Sequence, residues 1–135
     1  MPDIAPSPEA IGYVLCDDMI FTSRIMGAAQ TLGLKIKPAR SLDSLHTLVA
    51  QQSPRCVIID LANPSLNLAA LFGFLKESGA HTTRVVAYGS HVDTASLQAA
   101  REAGCNPVLP RSRFIEELPK ALPEWMGVQP GAADV

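Results

Sequence analysis

Three aspartates that follow two apolar runs are the residues of this sequence best placed to do chemistry. Asp17 and Asp18 come directly after the run over 11–16, and Asp60 closes the run Cys56-Val57-Ile58-Ile59. Carboxylates brought within a few ångströms of one another repel unless a cation sits among them. Oxygen donors favour a hard ion that keeps some of its waters, which makes magnesium the natural candidate. A carboxylate beside such an ion can accept a phosphoryl group, because the metal offsets charge on the transferring oxygens. Taken one at a time the same residues have plainer uses, Asp17 and Asp18 as helix caps and Asp60 as the start of a solvated loop. The choice rests on whether the surrounding elements bring them together.

Those elements alternate. The run over 11–16 predicts a strand covered on both faces. Asp18 then caps a helix reaching about residue 32, with Ile25, Ala28, Ala29 and Leu32 on one face and Gly33 as its stop. A short second strand over 34–37 ends at Pro38, which removes a ladder donor and suits a sheet edge. Ser41 caps a helix with the stripe Leu42, Leu45, Leu48 and Val49, ended by Ser53-Pro54. The third strand, 56–59, stops at Asp60, and a loop leads to a helix near 67–77. A fourth strand over 84–88 breaks at Gly89-Ser90, Asp93 caps a helix ending at Gly104, and a short fifth strand covers 106–109. The last helix begins near Ser112, and Pro119 and Pro123 are expected to interrupt or restart it.

Five strands alternating with five helices through short loops imply an α/β domain, a doubly wound parallel sheet with helices on both faces. Chemistry in such sheets gathers at the carboxyl ends of the strands. With strand order 2-1-3-4-5 the first and third strands are neighbours, so Asp17, Asp18 and Asp60 converge. The expected division is an N-terminal arm over 1–9, carrying three prolines, a domain over 10–126, and a flexible tail over 127–135.

Composition narrows the function classes. The 135 residues are 47% hydrophobic, with a formal charge of −2 and no lysine- or arginine-rich run. Disorder, and electrostatic capture of nucleic acid or an anionic membrane, therefore find little support. No apolar run reaches a membrane span, and the first residues lack a signal peptide's basic and apolar regions, so a cytoplasmic location is expected. Cys16, Cys56 and Cys105 are odd in number and far apart, which reads as buried small hydrophobes rather than a disulfide or zinc framework. Ser90 has no base or orienter to make it a nucleophile, and His91 reads as an exposed loop residue.

Asp17-Asp18 after an apolar strand, the segment Val57-Ile58-Ile59-Asp60-Leu61-Ala62-Asn63-Pro64, and the turn Ala103-Gly104-Cys105 resemble a response-regulator receiver domain. The resemblance covers about 115 residues, from Ile11 to Trp125, and implies a flavodoxin-like fold. It implies that Asp60 is the phospho-acceptor, that Asp18 ligates magnesium directly and Asp17 through water, and that the Ala62 carbonyl supplies another ligand. The family's threonine or serine at the end of the fourth strand falls on Gly89, with Ser90 one step later. Its lysine after the fifth strand falls on Arg111, and its aromatic switch residue on Val108. Arg111 and Ser90 are thus the expected phosphate-contacting residues.

The resemblance implies a single-domain receiver-like protein of two-component signalling, acting by binding a partner or passing phosphate along a phosphorelay. Partners of that chemistry are a histidine kinase, a phosphotransfer protein or a downstream effector. The face made by the fourth helix, fifth strand and fifth helix is the expected interface, including any homodimer. A pseudo-receiver that keeps the fold and binds without phosphotransfer is the alternative. A magnesium-dependent phosphoester enzyme would need a cleft and a general acid, and the sequence displays neither, so no enzymatic activity is expected.

Overall fold

The computed structural model describes residues 10–79 and 82–127. The expected arm over 1–9, and all of the expected tail except Gly127, lie outside the described residues.

The elements run β1 (Ile11–Leu15), α1 (Met19–Thr31), β2 (Lys35–Ala39), α2 (Leu42–Gln51), β3 (Cys56–Asp60), α3 (Leu68–Glu77), β4 (Arg84–Gly89), α4 (Thr94–Ala103), β5 (Val108–Pro110) and α5 (Arg111–Trp125). All strand pairs are parallel, in the order β2-β1-β3-β4-β5. Every residue of β1 and β3 is buried, which is why both read as unbroken apolar runs rather than alternating ones. β2 is an edge strand, and Pro38 lies within it rather than ending it. An edge tolerates the missing N–H, so the strand runs on to Ala39.

Helix starts follow the expected caps Asp18, Ser41 and Asp93, and Asn67 is a fourth. The side chains of Asp18, Ser41, Asn67 and Asp93 each accept a backbone N–H in the first turn of the helix they precede. Gly104 ends α4 at φ 114°, a left-handed conformation that a side chain would resist. α5 departs from expectation. It starts at Arg111 and runs unbroken through Pro119 and Pro123. Phe114, Leu118, Leu122 and Trp125, spaced by about one turn, are all buried on one stripe, and this packing overrides the local effect of the prolines.

The sheet separates two cores. Leu45 and Val49 of α2, Leu71, Phe74 and Leu75 of α3, and Leu97 and Ala100 of α4 pack on the face carrying Leu15, Val57 and Ile59. Ile25 and Ala29 of α1, with the buried stripe of α5, pack on the face carrying Val14, Ile58 and Tyr88. Gly12 sits where β1 meets this second core. A Cβ there would lie 2.8 Å from Met126 Sδ and 3.3 Å from the Cys56 carbonyl oxygen. Gly12→Ala is therefore expected to cost roughly 1–3 kcal/mol by overpacking, read as a lower denaturation midpoint in urea.

Candidate functional site

The parallel register decides what surrounds Asp60. β3 and β4 place Asp60 directly beside Tyr88, so both side chains emerge on the same face of the sheet. β1 pairs Val14 with Ile58, and two residues further along each chain Cys16 comes beside Asp60. The Cys16 Sγ lies 3.7 Å from Asp60 Oδ2 and 3.5 Å from the Asp18 carbonyl oxygen, two acceptors for its single proton. The Tyr88 hydroxyl donates to Cys16 Sγ at 3.1 Å. On the other carboxylate oxygen, the Ala62 N–H donates to Asp60 Oδ1 at 2.9 Å, and Arg111 Nη2 approaches to 3.6 Å. Asp60 is 4% exposed. Both of its oxygens are engaged by the chain itself.

The loop after Asp60 is tied down as firmly. Asn63, also buried, donates from Nδ2 to the Arg40 carbonyl and accepts from the Ser65 N–H and hydroxyl. Ser65 Oγ in turn accepts the Leu42 N–H. The loop thus bridges the end of β2 and the start of α2, holding the Ala62 N–H against Asp60.

Of the expected site residues, the structure brings Arg111 to Asp60 and engages Ala62 through its N–H. Ser90 is not part of the cluster: its Oγ accepts the Val92 N–H within the loop before α4. Tyr88 is the residue opposite Asp60, while Gly89 ends β4 packed against Leu61. Asp18 Oδ1 accepts the Ile20 and Phe21 N–H groups as the cap of α1, and Asp17 is exposed.

These donors do not fit magnesium. Among the described residues no group of three or more His, Cys, Asp or Glu side chains is arranged to hold a metal ion. The side chains that approach the Asp60 carboxylate are a thiol, a soft and poor partner for a hard ion, and a guanidinium, which repels one. Of the expected ligand set of Asp17, Asp18, Asp60 and the Ala62 carbonyl, Asp18 caps α1 and Asp17 is exposed in this arrangement.

Cys16 and Tyr88 are the site residues that a sequence reading misses. Cys16 is buried as expected of a small hydrophobe, and all three cysteines are free, yet Cys16 also carries a polar role. Burial, then the hydrogen bond to Cys16, then the Asp60 charge push the Tyr88 phenol far above its ordinary value of 10.0, with Arg111 opposing. Burial likewise pushes the Cys56 thiol up to about 12 and the Cys105 thiol up to about 11, from 9.0. Between these limits the folded state keeps protons that the unfolded chain has released, so the contribution of these thiols to stability is complete below pH 9 and falls as pH rises. Each such group contributes a slope of about 1.4 kcal/mol per pH unit. In an alkaline titration, Tyr88 is expected to give tyrosinate absorbance only together with loss of the folded circular-dichroism signal. A native-state ionisation of both tyrosines near pH 10.0 would contradict this burial.

No protein-family model matches the chain, and no curated protein matches it in sequence. Solved structures do match. A protein described as a response regulator from Chloroflexus aurantiacus J-10-fl superposes with a TM-score of 0.75 at 17% identity, covering 88% of this chain and 98% of that one. The receiver domain of the Francisella response regulator 1452 gives 0.72 at 18% identity, with 88% and 98% covered. A response regulator from Thermotoga maritima gives 0.73 at 14%, with the same coverage. The chain has the receiver fold.

Within the receiver fold the position of Val108 is a fixed one. It is 7% exposed, pairs with Ala87, and belongs to the core on the face away from Asp60. The aromatic groups near the site belong to other elements. Tyr88 stacks between Phe21 of α1 at 4.7 Å and Phe114 of α5 at 4.6 Å, and Phe114 continues to Trp125 at 5.6 Å. No helix among the described residues is long and apolar enough to cross a membrane. A shallow hollow of about 390 Å³ lies between α2 and α3 around His46 and Phe74, and no residue of the Asp60 cluster lines it.

Proposed function

We propose that the chain is a signalling module in the receiver fold that acts by binding a protein partner, with Asp60 serving as a structural ion-pair member rather than as a phospho-acceptor. The observation that carries this reading is the closure of Asp60, 4% exposed with the Ala62 N–H and Arg111 on one oxygen and the Cys16 thiol at the other. An acceptor carboxylate must offer a free oxygen to an incoming phosphorus, and here each oxygen already faces a protein group. The partner classes remain those of two-component signalling, a kinase, a phosphotransfer protein or an effector.

The acceptor reading keeps one support of its own. Asp60 lies at the carboxyl end of β3, followed by the loop through Pro64, where the resemblance places the phosphorylated residue. The two readings part at Asp60→Asn. Introduced into the native chromosome with an affinity tag on the chain, this variant is expected to keep the wild-type set of cross-linked partners and the wild-type phenotype. Loss of both, in a variant that melts like the wild type, would favour phosphotransfer.

A further inference from the structure

We propose that Arg111 takes the place of a divalent cation at Asp60, so that the pocket is charge-balanced by the chain and does not bind magnesium. Three observations converge. First, the Arg111 guanidinium stands 3.6 Å from Asp60 Oδ1, one positive charge for the one buried carboxylate. A dication on the same oxygen would have to displace it or bear its repulsion. Second, Asp18, one of the expected additional ligands, holds two N–H groups of α1 on Oδ1, so turning it toward Asp60 would uncap the helix. Third, the opposite side of Asp60 is filled by Cys16 Sγ, itself held by the Tyr88 hydroxyl, where a hard ion would need oxygen donors.

The arrangement also explains why arginine suits this position. Its planar fork reaches the carboxylate at 3.6 Å while its side chain stays 40% exposed. The α5 N-terminus is thereby coupled to the end of β3 through a permanent charge rather than through an exchangeable ion. This coupling depends only on local geometry, not on the identity or existence of a partner.

Two measurements test it. In thermal melts with magnesium chloride, compared with sodium chloride at equal ionic strength, wild type and Asp60→Asn are expected to respond alike. A saturable rise in melting temperature specific to magnesium and absent from Asp60→Asn would overturn the proposal. Should Asp60→Asn fail to fold, manganese added to isotope-labelled wild type gives the answer by paramagnetic broadening. The Leu61 and Ala62 amide signals are expected to persist at manganese concentrations that leave the rest of the spectrum unchanged. Their selective loss at micromolar manganese would overturn the proposal. Magnesium binding without phosphorylation would defeat this inference and leave the partner-binding reading standing.

Discussion

Phe114→Ala is expected to destabilise the fold by about 3–5 kcal/mol, the range for truncating a fully buried aromatic. Phe114 is 0% exposed and is the ring on which the second core turns. It stacks on Tyr88 at 4.6 Å, faces Phe21 at 6.1 Å and meets Trp125 at 5.6 Å, so its removal opens a cavity touching α1, β4 and α5 together. Urea denaturation followed by Trp125 fluorescence reads the loss. Tyr88→Phe is the companion, since it keeps the stack and deletes only the hydroxyl bonded to Cys16. That change is expected to cost about 1 kcal/mol, the net worth of one hydrogen bond. A Phe114→Ala loss below about 1 kcal/mol would mean that the rings of Phe21, Tyr88, Phe114 and Trp125 are not packed as described.

The second large effect belongs to the ion pair. Removing one partner of a fully buried pair costs about 3–5 kcal/mol, because the other charge is left without compensation. Arg111 is 40% exposed and 3.6 Å from Asp60, so solvent screening reduces the expected cost of Arg111→Met to about 1–2 kcal/mol. Asp60→Asn alone leaves the arginine free to turn to water and is expected to cost less than Arg111→Met. In the double variant the two losses are not additive, with a coupling of about 0.5–2 kcal/mol. Losses that add to within about 0.3 kcal/mol would show that the pair contributes nothing.

Much of this fold was legible because its signals are local. The apolar runs of β1 and β3, the caps Asp18, Ser41 and Asp93, and the stops at Gly33 and Gly104 each act within a few residues. The continuous α5 was less legible, because Pro119 and Pro123 argue locally for a break that the buried stripe from Phe114 to Trp125 overrides. Arg111 could be placed beside Asp60 only through the resemblance, whose lysine after the fifth strand falls on it. Tyr88 and Cys16 could not be seen in the same way. Each looks like one more residue of an apolar strand, and only the register, Asp60 beside Tyr88 and Val14 beside Ile58, turns them toward the carboxylate. Convergence of strand ends does not fix side-chain direction, and Asp18 is drawn instead to the free N–H groups of α1.

Whether Asp60 is closed to chemistry decides between the two functional readings. The most direct measurement is the intact mass of the purified chain after incubation with a small acyl phosphate and magnesium, with Asp60→Asn in parallel. A closed carboxylate predicts an unmodified mass for both proteins. A single magnesium-dependent phosphoryl adduct on the wild type, absent from Asp60→Asn, would contradict that closure and restore Asp60 as a phospho-acceptor.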